Sequence, residues 1–351
     1  MRITSQMMLS RYKSDVSDAY ATLNKAMRHA YDYRRFDRPS EDPLAASQTA
    51  DIHWQMSLND NYSSNITNIN SALTTGEKIL QNIDAMLTQA SGTTVLKAIN
   101  GTMAAENRLA LADQLLSIRD SIVSQMNTKY ADSYLFSGSG AGKAPFELVK
   151  DASDPSKDKL YYRGVDVDTG KMKDGSTPSV SLEDLANEKV YVDIGLGMTM
   201  DKNGVIEDQS AYNKAMPGIS FLGYGTNSDG VPNNVCSILS RIAGILKNSA
   251  NEQQLSTAEL EEIEKLTSAF DASQDNFEAG QAQLGNRMQF LNNTSEYITE
   301  LKTNLAEKDN EVEFVEPTDA IETYYSQLYC YNAALKVGAQ ILQQSLIDYL
   351  R

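Results

Sequence analysis

Ile263-x2-Leu266-x3-Phe270-x2-Ser273-x3-Phe277-x2-Gly280-x3-Leu284-x2-Arg287-x3-Leu291-x2-Thr294-x3-Ile298-x2-Leu301-x3-Leu305 is the stretch on which the fold turns. Steps of three and four alternate for six heptads, the period of an a/d helical seam. Only Ser273, Gly280, Arg287 and Thr294 depart from bulky apolar character. Just upstream, Ser256-x2-Glu259 fits a capping box, which starts the helix near Thr257. About 50 residues at ~1.5 Å each predict a rod of roughly 75 Å.

A second seam lies in the other half of the chain: Tyr62, Ile66, Ile69, Leu73, Gly76, Leu80, Ile83, Leu87 and Ala90. Asp42-Pro43 supplies its start, an acceptor at N-cap with proline at the first helical position. The spacing predicts a third helix over roughly 103–135, with Leu109, Ala112, Leu116, Val123, Met126 and Tyr130 on one face, and a short one at about 236–249. Helices with one apolar stripe each must bury those stripes together, so the flanks predict an elongated antiparallel bundle.

Between the flanks the punctuation changes. Residues 138–232 hold thirteen of the 20 Gly and five of the 8 Pro, so this stretch is rich in turns. Lys159–Arg163 and Val190–Ile194 read as strands, and Asp168-Thr-Gly170 and Asp201-Lys-Asn-Gly204 as turns between apolar runs. The fold class is therefore mainly α with an inserted β domain. Its expected division is 1–40 with 315–351 as a terminal-helix pair, 41–137 with 233–314 as the long bundle, and 138–232 as the insert.

The two ends carry stripes of their own. Leu9, Tyr12, Val16 and Leu23 recur at helical spacing in 3–34; Ile321, Tyr324, Leu328, Tyr331, Leu335, Leu342, Leu346 and Leu350 do so in 318–350. These residues are expected in inter-helix or inter-subunit packing. The tyrosines Tyr324, Tyr325, Tyr329 and Tyr331 favour an assembly face, since tyrosine is enriched where one end of the ring is dry and the other wet. Segment 1–40 has eight basic and four acidic residues, a charge of +4, while the remainder carries −20. Opposite charge suggests that the two terminal helices pair. A lone pair buries little surface, so neighbouring copies are expected to complete its order.

Composition excludes several function classes. The chain of 351 residues has 31 Lys+Arg against 47 Asp+Glu, a net charge of −16, which argues against duplex nucleic-acid binding. Cys236 and Cys330 form neither a disulfide framework nor a CxxC metal motif. The opening residues lack the apolar core of a secretory signal, and no apolar run is long enough to span a membrane. Ser137–Ala144 has glycines but lacks the first glycine and the hydroxyl of a phosphate loop, and reads as a link. Asp166-Val-Asp-Thr-Gly170 has glycine at the third ligand position of a calcium loop and no Glu at the twelfth, so its aspartates read as turn residues. His29 and His53 have no evident base or nucleophile partner, and Glu261-Glu262 sits on the polar side of a seam helix. We read no catalytic residue, cofactor site or metal site, and no enzyme.

Several strings together resemble one family. They are Arg38-Pro-Ser-Glu-Asp-Pro-Leu-Ala-Ala46, Glu106-Asn-Arg-Leu-Ala-Leu-Ala112, Asn127-Thr-Lys129 with Tyr134-Leu-Phe-Ser-Gly138, Gly285-Asn-Arg-Met288 and Ser345-Leu-Ile-Asp-Tyr-Leu350. Over about 1–140 and 231–351 the chain is similar to the flagellin-like proteins of bacterial flagella, and within them to the subunits of the hook–filament junction. Glu41 stands where the family has Asp, and Arg351 is a flagellin-like final residue. The resemblance implies terminal helices paired in a tubular core, a surrounding bundle shell and an outward insert. It also implies export without a cleavable signal through the flagellar type III apparatus, with an export chaperone, to the cell exterior. The partners implied are a homo-oligomeric ring, a preceding hook-associated protein and flagellin, with no nucleic acid and no membrane insertion. The implied function is a structural adaptor that templates the filament. Flagellin itself is the nearest alternative. A type III translocator needs an apolar hairpin not found here, and an enzyme would need a site in 138–232.

Overall fold

The computed structural model describes residues 2–91, 104–140, 142–151, 153–251 and 254–349, with side chains described between 7 and 340 except at residue 251. It is mainly α with a small β insert. The helices are α1 Arg2–Asp32, α2 Pro43–Gln89, α3 Ala105–Met126, α4 Leu182–Ala186, α5 Gly218–Leu222, α6 Val235–Asn248, α7 Thr257–Glu313 and α8 Pro317–Tyr349. The strands are β1 Lys129–Tyr130, β2 Ser133–Tyr134, β3 Phe146–Val149, β4 Lys159–Tyr162, β5 Val165–Asp166, β6 Tyr191–Val192 and β7 Tyr212–Asn213. The chain divides into two compact units: Met1–Asn61 with Ile298–Arg351, and Tyr62–Tyr297.

Both expected caps are present. Asp42 Oδ1 accepts from the Ala45 amide at 3.0 Å, and Ser256 and Glu259 exchange bonds, each side chain meeting the other's backbone N–H. Each satisfies amide donors that a helix start otherwise leaves open.

In the unit Tyr62–Tyr297 the seams are buried as the period requires. Ile263, Leu266, Phe270, Phe277, Leu284 and Leu291 on α7, and Ile66, Ile69, Leu73, Leu80, Ile83 and Leu87 on α2, are core residues. Apart from Thr294, whose Oγ1 donates to the Phe290 carbonyl of its own helix at 2.9 Å, the exceptions in the seams are where the segment leading into α6 docks. An added Cβ at Gly280 would meet the Phe221 ring at 2.9 Å, and one at Gly76 would meet Met216 Sδ at 3.3 Å. Ser273 Oγ donates to the Asn233 carbonyl at 2.8 Å. Arg287 donates to the Ala215 carbonyl at 3.0 Å and to that of Asn213 at 2.5 Å. Phe221 joins Phe136 and Phe277 edge-on, with centroids 6.1 and 6.5 Å apart.

Helix α3 is shorter than its period suggests and is rotated. It stops at Met126 because the Asn127 side chain is tied both ways to Phe146, donating to its carbonyl at 2.8 Å and accepting from its amide at 2.9 Å. Ala131 then takes a left-handed φ of 52° in the turn of the β1–β2 hairpin. The buried face of α3 is Arg108, Leu111, Ala112, Leu115, Ile118, Arg119, Ile122, Val123 and Met126, whereas Leu109 is exposed. It packs on α6, whose N-cap Asn234 accepts from the amides of Cys236 and Ser237. Arg108 donates to the Ser249 carbonyl at 2.8 Å, just past the C-terminus of α6, where a cation also complements the helix dipole.

The insert contributes an antiparallel sheet in the order β3-β4-β5 and a β6–β7 pair. Asp201–Val205 closes as the expected turn, with Gly204 at φ 78°. Ser137, read as part of a link, is buried. Its Oγ donates to the Gly140 carbonyl at 2.6 Å and its backbone bridges to Pro217, so the turn it opens is packed.

Candidate assembly surface

The unit Met1–Asn61 with Ile298–Arg351 is built from α1, α8 and the facing parts of α2 and α7. The connections run side by side: Arg35 N donates to the Glu313 carbonyl and Val315 N to that of Tyr33, both at 2.8 Å. On the α2 and α7 stretches, Lys302 meets Asp60 at 2.6 Å and His53 meets Asp309 at 3.1 Å, an antiparallel pairing.

Helix α1 lies against α8. Tyr20 and Tyr331 approach with centroids 5.8 Å apart. Tyr12 is seated on Gly338, where an added Cβ would fall within 2 Å of the phenol ring; any larger residue there displaces the tyrosine. Leu9, Tyr12, Val16 and Leu23 of α1, with Tyr324, Leu328 and Tyr331 of α8, are half-buried along this pair, while Ile321 and Leu335 are exposed. Leu342, Leu346 and Leu350 lie outside the residues whose side chains are described.

Charge plays a different part from the one that opposite signs suggest. Among the described residues no ion pair joins α1 to α8. Lys25 pairs with Glu41 at 3.2 Å, Arg28 with Asp37 at 3.1 Å and Arg34 with Glu313 at 2.8 Å, so the basic residues clamp the connections. Glu41, the residue that departs from the family string, also accepts the Asp37 amide at 3.1 Å. That bond and Lys25 hold its carboxyl below the usual range.

The balance of buried to exposed apolar side chains sets this unit apart. Among the described residues, six of the 54 buried apolar residues belong to it: Ala26, Ala45, Ile52, Ile298, Leu305 and Ala320. Yet thirteen of the 23 exposed large apolar side chains among the described residues do, in about a third of the chain. Tyr31 is 84% exposed, Tyr329 78% and Met7 72%; Met8, Leu44, Trp54, Tyr325 and Val337 are similar. Exposed large apolar side chains are thus concentrated in this unit, the kind of excess that a candidate interaction surface presents. The tyrosine cluster of α8 is divided: Tyr331 meets Tyr20 of α1, the half-buried Tyr324 ring lies 5.4 Å from that of Tyr325, and Tyr325 and Tyr329 are exposed. Period finds the first face. Met7, Met8, Leu44 and Trp54 lie off the stripes and carry no periodic signal.

The other unit holds a groove of about 940 Å³, lined by Lys265, Gln283, Arg287 and Tyr224 among others. Its Arg287 is committed to the two carbonyls described above. Burial pushes the Asp168 carboxyl up to about 6, opposed by a bond from Ser237, and Asp166 accepts the Asp168 and Thr169 amides as a turn residue. Burial also pushes the Cys236 thiol up to about 12, which keeps it protonated and unreactive. Among the described residues no helix is long and apolar enough to cross a membrane.

No family model matches the chain. It is similar to flagellar hook-associated protein 3 of Salmonella typhimurium, 28% identical over 148 residues, 42% of this chain and 46% of that protein. It is also similar to flagellar hook-associated protein 3 of Escherichia coli, 26% identical over 151 residues, 43% of this chain and 47% of that one. The matched part thus spans about half the length of these curated relatives. Among solved structures, a flagellar hook-associated protein of Vibrio parahaemolyticus has the same fold, with a TM-score of 0.57 at 19% identity over 78% of this chain and all of that one. Flagellar hook associated protein-3 of Legionella pneumophila gives a TM-score of 0.50 at 16% identity over 74% of this chain and 98% of that one. The resemblance read from the strings is therefore a resemblance to hook-associated protein 3.

Proposed function

We propose that this chain is a structural adaptor subunit of the bacterial flagellum, placed at the junction between hook and filament. The observation that carries this reading is the unit Met1–Asn61 with Ile298–Arg351, where, among the described residues, large apolar side chains are more often exposed than buried. A single copy cannot satisfy such a surface; a ring of copies with matching neighbours can. Each Leu-sized side chain covered contributes only ~1.5–3 kcal/mol, so the binding is collective.

In this reading residues 1–40 and 315–351 form the inner core of the ring. Residues 41–137 with 233–314 form the shell around it, and 138–232 face outward. One face of the ring seats on the preceding hook-associated protein and the other templates flagellin. The subunit leaves the cell through the flagellar export apparatus, escorted by a chaperone, and works outside the cell without catalysing a reaction. Similarity to hook-associated protein 3 supports this placement over flagellin, which has the same general architecture.

Immunogold labelling of intact flagella separates the two readings. An adaptor gives label at a single position where the filament meets the hook. Label along the filament would assign the chain to flagellin instead.

A further inference from the structure

His53, Asp309 and Glu313 come together in the unit Met1–Asn61 with Ile298–Arg351, each offering one donor atom, all within 4.8 Å of one another. Asp309 and Glu313 are four residues apart on α7, so one helical turn presents both carboxylates on one face. His53 reaches them from α2: its Nε2 lies 3.1 Å from Asp309 Oδ2 and 3.5 Å from Glu313 Oε2. We propose that these three side chains form a binding site for a divalent transition cation of the zinc class.

Four observations support the site. Ligand bonds of about 2.0–2.2 Å in a tetrahedral shell separate neighbouring donors by about 3.3–3.6 Å; the two distances from His53 fall close to that edge, and the two carboxylates, within 4.8 Å of one another, draw together on binding. Arg34 holds Glu313 Oε1 at 2.8 Å, which orients the other oxygen toward His53 and offsets one negative charge. Asp309 Oδ1 is buried without a hydrogen-bond donor among the described residues, so the acid is not fully satisfied by its neighbours. Glu313 is buried while His53 is half-exposed, so a cation has an entry path on the His53 side. One imidazole with two carboxylates selects zinc-like ions over calcium and magnesium, which prefer all-oxygen shells. Three protein ligands leave room for water or a further donor.

The place of the site gives it a consequence. The Glu313 carbonyl accepts the Arg35 amide, and Arg34 bridges to Phe314. A bound cation therefore fixes α2 to α7 where the connections to α1 and α8 leave them.

Zn²⁺ alone, titrated calorimetrically into full-length protein stripped with EDTA and dialysed, is the test, with Co²⁺ as an optical probe of the ligand shell. The expected result is saturable uptake of one ion per chain and visible Co²⁺ bands of low coordination number. His53→Ala and Asp309→Asn each weaken Zn²⁺ binding by about tenfold or more. His29→Ala and Cys330→Ser, which remove the other histidine and the exposed thiol, leave it unchanged. Circular dichroism checks folding, and Asp309→Asn decides the matter if His53→Ala does not fold. No stoichiometric uptake, or uptake unchanged in both site variants, overturns the proposal and leaves the cluster as an ion pair.

Discussion

Tyr329→Glu combined with Leu335→Asp is expected to abolish incorporation into flagella and motility, while the isolated chain keeps its urea midpoint. Both side chains are exposed in the single chain, so they contribute little to its own stability. Surface substitutions away from special features usually change stability by no more than about 0.5 kcal/mol. In the proposed ring the same positions would be covered, and each new carboxylate would be desolvated without a partner, at a cost of several kcal/mol. Complementation of a deletion strain, scored by swimming and by electron microscopy, reads the assembly effect; urea unfolding followed by circular dichroism reads the monomer. Motility at wild-type level in the double variant would mean that these two positions of α8 are free in the assembled flagellum.

The largest loss of stability is expected from Arg119→Leu, in the unit Tyr62–Tyr297. Arg119 is 1% exposed, and its Nη1 donates to Asp158 Oδ2 at 2.5 Å and to Ser240 Oγ at 2.8 Å. Its Nε and Nη2 donate to Asp120 Oδ1 at 3.0 and 2.8 Å. The Asp158 side chain is also buried, so removing the guanidinium leaves a carboxylate with its charge uncompensated. The expected destabilisation is about 3–5 kcal/mol. Adding Asp158→Asn should recover part of it, because the amide oxygen still accepts the Asp151 amide, which Asp158 Oδ1 does at 2.7 Å, while the orphaned charge is gone. A single variant as stable as the parent, or a double variant less stable than the single, would contradict this account of the core.

Helical period alone was enough to place the long helices. The a/d positions of α2 and α7 are buried in register, and Asp42 and Ser256 begin them through local bonds that need no tertiary context. What period could not show was why Gly76, Ser273, Gly280 and Arg287 interrupt the seams. The structure answers with Met216, Asn233, Phe221 and the carbonyls of Asn213 and Ala215, all from a segment distant in sequence. Helix α3 was misplaced for a related reason. Arg108 and Arg119 face its core, so a stripe drawn through apolar residues alone was rotated off the buried face.

The candidate assembly surface is legible only in part. Stripe residues such as Tyr12 and Tyr331 emerge from spacing, and in the structure they serve the pairing of α1 with α8. The exposed apolar side chains, Met7, Tyr31, Trp54 and Tyr329 among them, are defined by what remains uncovered once the helices have packed. Exposure depends on the fold, and no local pattern records it. His53 was likewise unreadable as a donor, because Asp309 lies 256 residues away and meets it only through the antiparallel pairing.

The central claim is that this chain is the adaptor on which the filament is built. Deleting its gene and following flagellin in the culture fluid tests that claim most directly. The account predicts cells that carry hooks without filaments and shed flagellin as monomer into the medium. Full-length filaments on the deletion strain would contradict it.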